Sequence, residues 1–191
     1  ENCKETIESL IEEGCKIIIC NSFGFGEWEL ECAKKYPEVY FFHATGVEEL
    51  DNLSTYFGRI YQMRYLSGIV AGMQTETNEI GYVAAFPIAE VNRGINAFTR
   101  GVQLVNPDAK VYVEWSGSWI GEEENAETVK ELIDEHNIDV LAMHSDATSP
   151  LEIAEEKGIW SIGYNVDNSE SFPNTYLTAP VKKKKKFYEP R

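Results

Sequence analysis

Histidine and cysteine are scarce in this chain and poorly placed for metal chemistry. The three histidines, His43, His136 and His144, are scattered, and the four cysteines, Cys3, Cys15, Cys20 and Cys32, all fall in the first 32 residues without a CxxC pair or a histidine at zinc-finger spacing. The thiols read as buried or incidental, and they identify no redox compartment. Long apolar runs are missing too: nothing approaches the ~18 residues of a membrane span, and no charged-then-apolar leader opens the sequence. Positive charge is the third shortage, with 17 Lys+Arg against 32 Asp+Glu and a formal net charge of −15. Five of those bases sit in one run, Lys182 to Lys186, so the remainder is more acidic still and would repel a phosphate backbone. Nucleic acid is thereby excluded as an expected partner. What is present, 43% hydrophobic and 12% aromatic residues in a 191-residue chain, is enough for a real core and rules out disorder as the main state.

Helical and strand patterns alternate from the first residues. Asn2 with Glu5 makes a helix start, Ile7, Leu10 and Ile11 mark its apolar face, and Gly14 ends it. Lys16 to Cys20 (KIIIC) reads as a strand buried on both faces. A helix over Trp28 to Tyr36, a stop at Pro37, a strand over Val39 to His43 and a helix over Ile60 to Met73 follow. After a polar stretch at residues 74 to 79 the pattern resets, with strands at Ile80–Ala85, Lys110–Trp115, Asp139–Met143, Trp160–Tyr164 and Thr175–Ala179. Between them lie helices, one striped by Val91, Ile95, Phe98, Val102 and Val105, one over Glu122 to His136, and one opened by Ser149 as cap, Pro150 and Glu152. Such alternation predicts an α/β fold with doubly wound parallel sheets. Two lobes are expected, residues 1–78 and 79–180, with 181–191 crossing back toward the first.

Ligands of open parallel sheets bind at the C-terminal strand ends, so the residues just after each strand are the candidates. These are Phe23 and Phe25 after KIIIC, Phe86 after IGYVAA, Trp119 in a Ser/Gly turn, Asp146 after VLAMH, and Asp167 after WSIGY. Either phenylalanine of the first turn could instead plug its own core, and either aspartate could simply cap a turn. Aromatics and carboxylates at one sheet edge suit a flat heterocycle with N–H donors or a sugar diol. Gly24 and Gly26 lack the third glycine of a dinucleotide fingerprint. An enzyme would need a nucleophile with its base, a metal set or an acid/base pair; only His144, Asp146 and Asp167 offer anything of the kind. No cofactor, no metal and no catalysis are expected.

The run IGYVAAFPIAEVNRGINAFTRGVQLV from Ile80 to Val105, the following Asn106-Pro107, the Ser118-Trp119 turn, HSDATSPLEIAEEKGIWSIGY and Phe172-Pro173-Asn174 resemble the basic membrane protein (BMP) lipoprotein family. The resemblance covers residues 5 to 181. It implies a two-lobe type I periplasmic-binding-protein fold serving an ABC importer and taking a purine base or purine nucleoside between the lobes. By that resemblance Phe23 or Phe25 and Trp119 sandwich the base, Asp146 accepts its N–H groups, and Asp167 holds a ribose diol or another polar edge. The implied partners are ABC permease subunits, and the implied location is extracytoplasmic, with membrane contact only through a lipid anchor absent from this chain. Family members begin with a further βα unit and continue past the last strand, so the first lobe is expected to be incomplete. Related alternatives are a ligand-sensing domain of a signalling or transcription-control protein and, less favoured, an enzyme acting on a nucleoside.

Overall fold

The computed structural model describes residues 2–182, so Lys183 to Lys186, and with them most of the lysine run and of the expected crossing, lie outside the described residues. Two compact units divide the chain between Gly58 and Arg59.

In the first unit α1 (Asn2–Glu12), β1 (Ile17–Cys20), a 3-10 turn (Phe23–Phe25), α2 (Gly26–Lys35), β2 (Tyr40–Ala44) and β3 (Leu53–Tyr56) follow in order. The strands are parallel in the order β1-β2-β3. Ile7 of α1 and Cys32 and Ala33 of α2 pack on Ile18, Cys20, Phe41 and Leu53. Both helices' buried residues therefore lie on one face of the sheet, and KIIIC is not buried on both faces as its composition suggested. Ile18 and Cys20 point inward, whereas Ile17 is 60% and Ile19 50% exposed. Apolarity alone cannot tell a strand buried twice from one with a single covered face. β3 has no counterpart in the sequence reading; it is anchored by Asn52, whose Nδ2 donates to the carbonyls of Ala33, Tyr36 and Val39.

The second unit comprises α3 (Ile60–Gln74), β4 (Glu79–Ala84), α4 (Ala89–Val105), β5 (Lys110–Trp115), α5 (Glu122–Glu135), β6 (Val140–His144), α6 (Ser149–Lys157), β7 (Trp160–Ile162) and β8 (Tyr176–Thr178). Its sheet is parallel throughout, in the order β5-β4-β6-β7-β8. Ala71 of α3 with Val91, Phe98 and Val102 of α4 cover Ile80, Tyr82 and Val140. Val129 and Leu132 of α5 and Ala154 of α6 cover Val83 and Leu141 from the other side. This unit is doubly wound, as expected.

The division at Gly58 moves α3 out of the first unit, where the 1–78 boundary had placed it. Gly68 of α3 meets the Phe98 carbonyl so closely that a Cβ would collide with it, and Gly101 of α4 meets the Tyr65 carbonyl in the same way. Only glycine permits this backbone approach. The polar stretch read as a boundary is instead a clip inside the second unit: Asp139 accepts from Thr75 Oγ1 at 2.6 Å, Glu76 N at 2.6 Å and Thr77 N at 2.9 Å. The start of α6 also differs. Ser149 lies within the helix rather than capping it, and the N–H groups of Thr148 and Ser149 are taken by the Glu122 carboxylate at the start of α5. A cap supplied across space leaves no local signature.

Candidate functional site

From β4 the chain passes to β5 on one side and later to β6 on the other, so the crevice of this sheet opens at the C-terminal ends of β4 and β6. The loops there carry three of the six expected residues. Phe86 follows β4 and Trp119 follows β5, their ring centroids 5.8 Å apart and tilted by 51°. Trp119 packs one side on the core while staying part-exposed. Its turn is held by Gly117 at φ +68° and by Gly121 N donating to Ser118 Oγ at 2.9 Å. The Trp119 carbonyl accepts from Asp146 N at 2.6 Å, which joins the loops after β5 and β6. Asp146 is exposed, and its Oδ1 accepts from Asn165 Nδ2 at 2.7 Å. A carboxylate so oriented keeps further lone pairs for an incoming N–H donor.

Asp167, beyond β7, is more committed. Its Oδ1 accepts from Ser169 N at 3.0 Å, and that turn lowers its carboxyl below the usual range. Phe23 and Phe25 belong to the first unit, where they form the turn after β1 and are 37% and 40% exposed. Neither joins the core of that unit, so the plugging alternative does not hold.

Beneath Trp119 lies a buried polar layer of which the sequence reading picked out only His144. His144 ends β6 with its ring 6.4 Å from the Trp119 ring and 4.4 Å from that of Tyr164. Its Nδ1 lies 3.0 Å from Tyr82 Oη, and its Nε2 lies 3.2 Å from Glu90 Oε2 without completing a hydrogen bond. Arg64 of α3, fully buried, donates from Nη2 to the Met143 carbonyl at 2.7 Å and stands over the rings of Tyr82 and Tyr164 at 5.5 and 4.8 Å. Burial first, and then the Arg64 charge, push His144 down to about 4, so the imidazole is neutral at pH 7. Burial works to raise Glu90, but His144, Lys182 and Arg64 outweigh it and the carboxyl ends below its ordinary value. Burial raises Tyr82 to about 12 and Tyr164 further, so both keep their hydroxyl protons. With Tyr82 as donor to Nδ1, the imidazole proton sits on Nε2, the nitrogen nearer the Glu90 carboxylate. The Nε and Nη1 of Arg64, Glu90 Oε1 and Ser145 Oγ remain without hydrogen-bond partners. The arrangement holds a tryptophan in place and presents a fixed dipole layer under it. Among the described residues no cluster of His, Cys, Asp and Glu could hold a metal ion, and no helix is long and apolar enough to cross a membrane.

The chain matches the family described as Bmp, ABC transporter substrate-binding protein PnrA-like, over residues 1–191. A purine-binding protein of Brucella abortus is 37% identical over 180 residues, covering 94% of this chain and 51% of that protein. A putative ABC transporter glucose-binding protein, TsgA13 of Haloferax volcanii, is 38% identical over 187 residues, covering 98% of this chain and 48% of its own. Among solved structures, a transcriptional activator of the comK gene from Bacillus halodurans superposes with a TM-score of 0.75 at 27% identity, over 92% of this chain and 61% of that one. An ABC transporter solute-binding protein from Aeropyrum pernix gives 0.76 at 20% identity over 92% and 54%, a likeness of fold. The chain spans about half the length of the curated relatives it matches.

Proposed function

This chain belongs to the family of PnrA-like substrate-binding proteins of ABC transporters, and on that premise we propose that its ligand is a purine base or purine nucleoside. The carrying observation is the half-open Phe86–Trp119 aromatic pair at the switch point of the sheet, with Asp146 tied to the Trp119 carbonyl. Trp119 stacks on the base, Asp146 accepts from its N–H edge, and Phe23 or Phe25 contributes a further ring. Asp167 takes the ribose diol of a nucleoside, for which it has one carboxylate oxygen left. The protein hands its ligand to permease subunits on the extracytoplasmic side, without chemistry on the ligand. The 37% identical purine-binding relative supports a purine; the 38% identical relative named for glucose makes a sugar the competing cargo.

A second reading, a ligand-sensing domain with the same fold, is favoured by the likeness to the comK activator. It differs in what lies downstream, and the ligand test serves both.

Calorimetry with adenine, adenosine and glucose decides the cargo. Adenine or adenosine binds and quenches indole fluorescence, Trp119→Ala weakens binding by about 1–3 kcal/mol, and Asp146→Asn weakens both purines. Asp167→Asn weakens adenosine more than adenine. Affinity for glucose alone, or an unchanged affinity in Trp119→Ala, overturns the reading.

A further inference from the structure

The turn that carries Phe23 and Phe25 is tied down by a histidine that the proposed ligand contacts do not include. His43, near the end of β2 and 4% exposed, has its Nε2 2.8 Å from the Ser22 carbonyl. A carbonyl only accepts, so Nε2 carries the proton. The same carbonyl accepts from Phe25 N at 3.1 Å and so closes the Phe23–Phe25 turn. The ring lies against two glycines: a Cβ on Gly26 would fall 2.8 Å from Cε1, and one on Gly46 would collide with the ring. Its other nitrogen, Nδ1, faces Glu29 Oε2 at 3.5 Å. Glu29 is fully buried on α2; its carboxyl oxygens complete no close hydrogen bond, and the donors that act on them are the thiol and backbone of Cys20. The remaining titratable groups here are thiols: Cys20, in register with His43 on β1, Cys32 on α2 and Cys3 on α1. Burial raises all three, and Glu29 adds to the rise of Cys3 and Cys20, so they stay protonated. Burial pushes Glu29 itself up to about 7, with only Cys20 acting against it.

We propose that His43 is a positioning residue for the Phe23–Phe25 turn, and that a proton shared between its Nδ1 and Glu29 Oε2 decides whether the turn is held. With Nε2–H committed to Ser22, Nδ1 and Oε2 are both acceptors unless one proton lies between them. While that proton is there, as Oε2–H facing Nδ1 or Nδ1–H facing Oε2, the ring is fixed and Ser22 is held. When it leaves for solvent, a lone pair faces a carboxylate in a buried site. The ring relieves this by rotating, which withdraws Nε2–H from the Ser22 carbonyl and frees both phenylalanines. Ligand affinity therefore falls as the proton is lost; this consequence rests on Phe23 or Phe25 stacking on the ligand, whereas the release of the turn does not.

Nuclear magnetic resonance of the protein from about pH 5 to about pH 9 tests the release directly, through the His43 ring signals and the amides of Phe23, Gly24 and Phe25. In the wild type ring and amides move together through one midpoint. Glu29→Gln, whose amide N–H faces Nδ1 at every pH, abolishes the step and keeps the turn held in base; His43→Gln loses it with the turn free throughout. If His43→Gln fails to fold, the Glu29→Gln result stands alone. Turn amides that stay flat while the His43 ring signals move, or a Glu29→Gln step like the wild type, overturn the proposal. Adenine affinity over the same range falls several-fold in the wild type and stays level in Glu29→Gln. Absence of adenine binding at every pH, with the turn step intact, removes the purine reading and leaves the positioning role standing.

Discussion

His43 faces Glu29 in the first unit much as His144 faces Glu90 in the second. Each histidine lies at or next to the end of a strand, in register with the last residue of a parallel neighbour, Cys20 in one case and Ala84 in the other. Each glutamate rises from the first turn of the helix that follows that neighbour. Each ring abuts a glycine, Gly26 or Gly94. Yet Glu29 is pushed up to about 7, while Glu90 is held below its ordinary value. The largest lowering influence on Glu90 is its own partner His144, followed by the charges of Lys182 and Arg64, whereas burial of Glu29 is opposed by Cys20 alone. Two like arrangements of acid and base thus shift their carboxyls in opposite directions, and the second differs in having cations beside the pair.

Removing one of those cations weakens the contrast, with the largest expected effect. Arg64→Leu leaves Glu90 buried with one compensating charge fewer and strips the Met143 carbonyl of its donor. We expect a loss of about 3–5 kcal/mol in urea unfolding of the second unit, with the Glu90 carboxyl shifted upward from its wild-type value. A smaller effect of opposite sign is expected in the first unit. Glu29→Gln removes a buried carboxylate that ionises above about pH 7, and should stabilise that unit at higher pH by ~1–3 kcal/mol, read as a raised urea midpoint there and little change near pH 4.

The smallest effect is in the wild type, where the units should respond to pH with opposite signs. Glu29 binds its proton more tightly when folded, so its contribution is full below the ordinary glutamate value and is lost as pH rises through about 7. His144 binds its proton less tightly when folded, so its contribution is full above the ordinary histidine value and is lost as pH falls through about 4. Unfolding followed at the methyl groups of Ile18 and Ile80 should show the first unit weakening toward base and the second toward acid. Parallel profiles would mean that the two pairs do not hold the charge states assigned to them.

Local patterns carried most of the fold. The stripe of α4, the strand Lys110–Trp115 and the Gly14 stop after α1 were all readable because neighbours in sequence produce them. Partners far along the chain were not. Arg64 reaches the carbonyl of Met143, Glu122 caps α6, and Gly68 is shaped by Phe98; nothing near any of them in sequence announces it. For the site, the strand-end rule brought Phe86, Trp119 and Asp146 to one edge, because topology alone decides that. The layer under Trp119 stayed hidden: Tyr82 reads as one more apolar residue of a buried strand, and Arg64 as a solvated helix charge.

The glycine crossing of α3 on α4 also bears on how the second unit assembles. α3, β4 and α4 are consecutive, so their contacts close short loops and can form early. Such a block would emerge during synthesis before His144, Tyr164 or the Met143 carbonyl exists. Arg64 then stands at an unfilled edge of β4, a charge facing the vacancy that β6 must enter. The arrival of β6 covers the apolar edge and caps the cation in one event, which couples burial of this charge to correct strand order. A chain that paired another strand with that edge of β4 would seal a guanidinium without its carbonyl, so the buried arginine favours the β4–β6 register during folding before it supports anything that binds above it.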